Sequence, residues 1–393
     1  MRLDLEGFLA AHGDELVEVR RHLHARPELG DAEHETTALV SRRLAAAGLE
    51  PTVLSSGTGV VCDVAGARDG PVVALRADID ALPLHDLKDV PYRSVRPGIC
   101  HACGHDVHTA ILLGAALALA ERRADLRGTV RCVFQPAEEL TSGALDVLAD
   151  GVLDGVSAVF ALHCDPRLET GRLAVRVGPI TGAASAVEVV LHGPGGHTAR
   201  PHLTADLVYV VARVVTDLPA GLSRLADPRA GISLVFGMVS AGTAGNVIPG
   251  TAVARGTLRT LDREAWDEAP KLIERLLEAS VSPFGVSWEL NYRRGTPPVV
   301  NEAGATAVLT QAAVTALGTG QVVEASQSLG GEDFAWYLEQ IPGCMARLGV
   351  DRSGLDADLH SGAFDADEGS IAVGVRALAQ TAVDALRRYR ATG

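Results

Sequence analysis

His101-Ala102-Cys103-Gly104-His105-Asp106-Val107-His108 puts three imidazoles, a thiol and a carboxylate into one short segment. An apolar run follows at once, through Ile111, Leu112, Leu113, Ala115, Ala116 and Leu117, and reads as a helix to about Arg123. On either side, residues 60–64, 71–78, 128–134 and 156–163 are short apolar runs that read as largely buried strands. Strand, ligand-rich loop, helix and strand again is the alternation of an α/β fold. Several good metal ligands packed before an apolar helix are costly to bury without a metal or a hydrogen-bond network. The alternative is a Cys/His-rich turn that caps the helix.

Working outward, the buried strands deliver polar residues at their ends. Strand 71–78 runs into Asp78-Ile79-Asp80, which is either a site at the carboxyl end of a strand or an ordinary strand-end turn. Strand 128–134 delivers Glu138 and Glu139. Adjacent glutamates can be a solvated pair, or they can divide the work of a metal hydrolase, one binding metal and one staying free as general base. Strand 156–163 ends in His163, a core histidine or a ligand, and the C-terminal section adds Asp333 and His360. Cys103 and His105 are two apart and cannot share one helical face, so both are expected in the loop before the helix. Cys103, His105, Glu139, His163 and His360 suit Zn²⁺, Mn²⁺, Co²⁺ or Ni²⁺. Five such donors exceed one structural zinc site and fit two ions sharing a bridge.

The chain has 393 residues, too many for one ordinary core, and its character changes near residue 182. Before that point, helices are expected over about 4–24 and 35–48. After it come a strand, a glycine-rich turn at 193–202, a helix, two strands, a helix over about 262–281 and a strand over 285–292. This β-α-β-β-α-β order is ferredoxin-like. The expected domains are therefore 1–181 and 296–393 as one catalytic domain, with 182–295 inserted. A charged fraction of 21% and a net charge of −14 are those of a foldable acidic chain and argue against a nucleic-acid partner or an anionic membrane. The first residues, Met1 to Glu6, lack an uninterrupted apolar core, so no signal peptide is expected, and no stretch of about twenty apolar residues marks a transmembrane helix. The six scattered cysteines (62, 100, 103, 132, 164, 344) read as reduced thiols in a cytoplasmic protein.

Nine segments, in order, carry a resemblance to a known family: RHLHARPELG (21–30), LRADIDALP (75–83), HACGHDVH (101–108), FQPAEE (134–139), Leu162-His163, GGHTARPH (195–202), GNVIP (245–249), GGEDF (330–334) and LHSGAF (359–364). Together they resemble the M20 family of metallopeptidases, in its amidohydrolase branch of hippurate hydrolases, indoleacetyl-amino-acid hydrolases and N-acyl-amino-acid deacylases. The resemblance implies a catalytic domain with a mixed central sheet flanked by helices, and a ferredoxin-like lid through which two copies pair as a homodimer. It implies Cys103, His105, Glu139, His163 and His360 as ligands of two divalent ions, and Glu138 as the general base. It implies His197 as the lid donor to the developing oxyanion, Asn246 and Arg259 as residues that hold the substrate, and Asp78 and Asp106 as residues that orient the ligands. The implied reaction is hydrolysis of the amide bond of a small N-acyl amino acid, with a carboxypeptidase or dipeptidase on the same scaffold as the alternative. His22, His24, His101 and His108 are read as structural. One departure is Leu140-Thr141-Ser142-Gly143, where many members carry a glycine run.

Overall fold

The structure, a computed structural model, describes residues 3–351 and 357–389. Met1 and Arg2, part of the N-terminal segment read above, lie outside the described residues. In chain order the elements are α1 (Glu6–Ala25), α2 (His34–Ala46), β1 (Thr52–Val53), β2 (Val60–Ala65), β3 (Arg68–Asp78), α3 (His105–Glu121), β4 (Arg127–Gln135), α4 (Gly143–Ala149), β5 (Val156–Glu169), β6 (Leu173–Val175) and β7 (Gly178–Pro179). They continue with β8 (Ala183–His192), β9 (Gly196–His197), α5 (Leu207–Leu225), β10 (Ser233–Ala241), β11 (Val247–Ile248), β12 (Thr251–Thr260), α6 (Arg263–Val281) and β13 (Ser287–Arg294). The last are β14 (Val300–Asn301), α7 (Ala303–Leu317), β15 (Val322–Glu324), α8 (Ala335–Leu338), β16 (Gly343–Asp351) and α9 (Gly369–Arg388).

Two compact units result. The first comprises Met1–Ile180, Val300–Ser326 and Asp333–Gly393. Its eight-stranded sheet has the order β1-β2-β4-β3-β5-β16-β6-β15. The sheet is mixed: β4/β3, β3/β5, β5/β16 and β6/β15 are parallel pairs, while β1/β2, β2/β4 and β16/β6 are antiparallel. Strand alternation sorts its side chains. Leu75 and Ala77 of β3, Cys132 and Phe134 of β4, Phe160 and Leu162 of β5, and Ala346 and Leu348 of β16 belong to the main apolar core with α1, α3 and α9. The residues between them, Arg76, Asp78, Gln135, His163 and Arg347, are buried on the other face. α3 is buried almost all round from His105 to Ala120, which is why its sequence is a continuous apolar run rather than a stripe.

The second unit comprises Thr181–Val299 and Gln327–Glu332. Its four-stranded antiparallel sheet has the order β10-β12-β8-β13. α5 and α6 each bury one stripe, Leu207, Val210, Val211, Val214, Leu218 and Leu222 on α5 and Trp266, Ala269, Ile273 and Leu277 on α6. Asp206 and Asp262 cap them by accepting the N–H groups of Tyr209 and Ala265.

Two local expectations are corrected. β5 does not end at His163; it continues to Glu169, because β16 keeps pairing with it beyond the point where β3 stops. His105 is not in the loop but is the first residue of α3. Only Cys103 precedes the helix, and Gly104, at φ +86, turns the chain between them. A Cβ on Gly104 would lie 2.7 Å from Cys164 Sγ, so the position needs glycine twice over.

Candidate metal centre

Cys103, His105 and His163 bring their ligand atoms within 4.8 Å of one another, and so do Cys103, Glu139 and His360, and His105, Glu138 and Glu139. The three groups overlap at Cys103, His105 and Glu139. Five proposed ligands and the proposed base, all in the first unit, thus form one cluster.

The histidines are oriented for donation. His105 Nδ1 lies 3.0 Å from Asp80 O and 3.1 Å from Asp80 Oδ1. Those oxygens only accept, so Nδ1 carries the proton and Nε2 presents its lone pair. That Nε2 is buried and has no hydrogen-bond partner among the described residues. His163 Nδ1 likewise donates to Cys164 O at 2.8 Å, which leaves its Nε2 facing Cys103 Sγ at 3.6 Å. Burial, then the positive charge of Arg347 and the neighbouring His108, hold the His163 imidazole well below its usual range, and so neutral. Burial pushes the Cys103 thiol up. A bare buried imidazole nitrogen, a bare buried Glu139 Oε1, a thiol and a second imidazole make a donor set that a borderline divalent cation fits.

The loops that carry these groups are tied from several directions. Glu139 N donates to Asp80 Oδ2 at 2.9 Å, Ala137 N to Glu33 Oε1 at 2.8 Å, and Ala144 N to Asp333 Oδ2 at 2.9 Å. Ala137 and Thr141, on either side of the glutamate pair, are in the left-handed region at φ +52 and +60. His360 is there as well, at φ +61, with its N–H donating to Ala102 O at 2.8 Å. Non-glycine residues in that region cost about 1–3 kcal/mol each and persist where surrounding bonds over-determine them. His360 Nε2 reaches Glu139 Oε1 at 3.4 Å, and Glu138 Oε2 lies 4.0 Å from His105 Nε2.

The two aspartates read as orienting residues differ in placement. Asp78 lies 3.7 Å from His105 Nε2 and 2.5 Å from His108 Nδ1, and it is bridged to Arg76 at 2.6 Å. Burial would raise its carboxyl, but the neighbouring His105, Arg76 and His108 side chains hold it well below the carboxylate range. Asp106 turns away from the cluster: it accepts from Arg20 Nε at 2.8 Å and contacts His24 Nδ1 at 2.7 Å. The residue that orients His105 is Asp80, which the sequence offered within Asp78-Ile79-Asp80 as either a site at the carboxyl end of a strand or an ordinary strand-end turn. Asp80 lies two residues beyond the end of β3 at Asp78, and the signal for it in the sequence was an acidic residue at the carboxyl end of a buried strand.

The remaining candidates sit in the second unit. His197 is exposed in the short ladder of β9 with β11, paired with Val247, next to Asn246. Its Nδ1 accepts the Ala199 N–H at 3.0 Å, so the proton is on Nε2. Asn246 O accepts from Thr198 N at 3.3 Å. Arg259, on β12, is apart from this ladder and donates from Nη1 to Leu329 O.

The sequence profile of "Peptidase family M20/M25/M40" matches residues 74–384. A Bacillus subtilis N-acetyl-L-cysteine deacetylase is 41% identical over 91% of this chain and 85% of its own length. A Rhodococcus jostii protein described as putative glutamate–cysteine ligase 2-3 is 49% identical over 92% of this chain, which spans only 46% of that longer protein. Among solved structures, the Bacillus subtilis YXEP protein, described as a dinuclear metal binding peptidase from the M20 family, superposes with a TM-score of 0.86 at 37% identity, covering 96% of this chain and 99% of its own.

Proposed function

Because the chain belongs to peptidase family M20/M25/M40, we propose that it hydrolyses the amide bond of N-acyl amino acids at a centre of two divalent ions, Zn²⁺, Mn²⁺, Co²⁺ or Ni²⁺. The observation that carries this reading is the cluster, buried at all but Glu139 and His360, in which Cys103 and His105 are each shared between ligand groups, with Glu138 beside them. The deacetylase relative supports the substrate class, and the dinuclear neighbour supports the pair of ions.

Cys103, His105, Glu139, His163 and His360 would hold the ions. When bound, two such ions polarise a carbonyl and lower the pKa of a water to about 7. Glu138 takes the proton from the attacking water and passes it to the leaving amine nitrogen as the C–N bond breaks, giving a carboxylic acid and a free amino acid. His197 offers its Nε2–H to the carbonyl oxygen as negative charge builds there. Asn246 and Arg259 are assigned to substrate holding on the family resemblance. The second unit is assigned as a ferredoxin-like lid whose pairing makes a homodimer. Supporting that assignment, β10 is an edge strand that holds neither charge nor proline between Ser233 and Ala241, with Val235 64% and Val239 49% exposed.

The test is Glu138→Gln. It keeps the size and removes the base. The variant is expected to bind its metal normally and to lose at least 1,000-fold in kcat on N-acetyl-L-cysteine or N-acetyl-L-methionine, in keeping with the loss of a general base. Turnover near wild type would refute the assignment. Chelation should abolish activity and reloading restore it; activity that survives removal of the metals would point instead to Cys103 as a nucleophile.

A further inference from the structure

On the proposed hydrolase reading, the substrate-facing chemistry of the first unit extends to one residue that the family resemblance does not supply. Two arginines lie on the face of the sheet that carries His163. Arg76, on β3, is 1% exposed and fully neutralised: it pairs with Asp78 at 2.6 Å and Asp333 at 2.8 Å and donates to Gln135 at 2.9 Å. Arg347, on β16, is 9% exposed, yet it forms no ion pair and no side-chain hydrogen bond among the described residues. Its register is direct. Arg347 pairs with His163 across β5 and β16, and paired positions on neighbouring strands put their side chains on the same face.

A buried charge without a partner costs several kcal/mol unless something arrives to pair with it. Every other residue from Gly343 to Val350 is uncharged, so the arginine is not part of a solvated face. A guanidinium presents a planar fork that matches a carboxylate in two parallel hydrogen bonds. We infer that Arg347 is a specificity-determining residue that ion-pairs with a carboxylate of the substrate, beside the amide that is cleaved. The carboxylate is either the α-carboxylate of the amino acid or one carried by the acyl group.

The experiment uses the full chain loaded with metal, as wild type, Arg347→Met and Arg347→Lys. Three compounds separate the sources: N-acetyl-L-methionine, its primary amide at the α-carboxyl, and N-succinyl-L-methionine. The readout is the ratio of kcat/KM between compounds, which a general loss of activity does not move. Arg347→Met is expected to lower the ratio of acid to amide at least tenfold if the α-carboxylate is gripped, or the ratio of succinyl to acetyl at least tenfold if the acyl side is. Arg347→Lys should recover part of whichever ratio falls. Unchanged ratios overturn the inference. A thermal melt adds a second arm. Removing an unpaired buried cation should raise Tm, so a lowered Tm with unchanged ratios marks Arg347 as structural and overturns it too. Should Arg347→Met fail to fold, Arg347→Gln replaces it. If the wild type hydrolyses none of the three compounds, the hydrolase reading fails, and calorimetric titration of the same compounds still decides. Binding of an anionic compound that Arg347→Met weakens at least tenfold relative to the amide upholds the inference; equal binding, or none, overturns it.

Discussion

Glu33 Oε1 accepts the N–H of Ala137 at 2.8 Å, and Ala137 is the left-handed residue immediately before Glu138. A carboxylate from the loop before α2 therefore sets the backbone that aims the proposed base. The packing is close: a Cβ on Gly30, in the same loop, would come within 3.1 Å of Ala137 Cα. Glu33→Ala leaves the buried Ala137 N–H unsatisfied, which costs about 1–3 kcal/mol. It is expected to lower kcat at least tenfold while leaving metal content unchanged, as read by metal analysis of the purified variant beside its turnover.

The same residue makes stability depend on pH. Burial raises the Glu33 carboxyl from 4.5 to about 7. The folded chain then keeps a proton that the unfolded chain has lost between those values. The resulting stability is complete below pH 4.5 and is lost as pH rises through 7, by about 3 kcal/mol in all. Glu33→Gln keeps an oxygen for Ala137 and removes the titration. Its unfolding free energy in urea should match wild type near pH 4.5 and exceed it by up to about 3 kcal/mol at pH 8. Parallel pH curves would show that Glu33 does not titrate in this range.

Asp80 holds two of the proposed ligands at once, His105 through its ring N–H and Glu139 through its backbone N–H. Residues that orient ligands in this way are worth about 10–100-fold in metal affinity. Asp80→Ala is expected to show that loss in competition with a chromophoric chelator. Asp106→Asn, which disturbs only the contacts to Arg20 and His24, should change affinity much less.

Gly104→Ala places a side chain at φ +86 and 2.7 Å from Cys164 Sγ. A strained left-handed residue plus a clash in the core should cost about 2–4 kcal/mol. Denaturant unfolding of the purified variant measures it; a cost under about 0.5 kcal/mol, the level of an ordinary surface change, would mean the turn can relax.

If β10 joins two copies edge to edge, lysine at both Val235 and Val239 should give monomers in sedimentation at micromolar concentration, since charge on an exposed edge is how natural sheets prevent such pairing. A wild-type chain that is itself monomeric there removes the basis for the pairing.

Much of the cluster is legible in the sequence because imidazoles, a thiol and paired glutamates at the ends of apolar runs have few other uses. What supports it is less visible. Glu33, Asp80 and Asp333 are common polar residues in loops, and only the fold brings them onto the amides of Ala137, Glu139 and Ala144. Arg347 is hidden for the opposite reason, since one charge inside an apolar strand gives no period to read. The long helices α3, α7 and α9 follow from their apolar patterns, whereas β6 and β15, three residues each, are too short to carry one. The continuation of β5 past His163 depends on β16, a partner about 180 residues further along the chain, and such pairing has no local signal.

The position of β16 between β5 and β6 also bears on how the protein is made. The ribosome delivers β5 and β6 about 170 residues before β16, and His360 emerges about 200 residues after His163. At 5–20 residues per second that is an interval of about 10–40 seconds. Throughout it the nascent chain carries Cys103, His105, Glu139 and His163 beside a sheet with a missing central strand. The catalytic unit therefore cannot close its sheet until β16 has been made, and a chain that stops before Gly343 would leave a thiol and two histidines open to any passing soft metal.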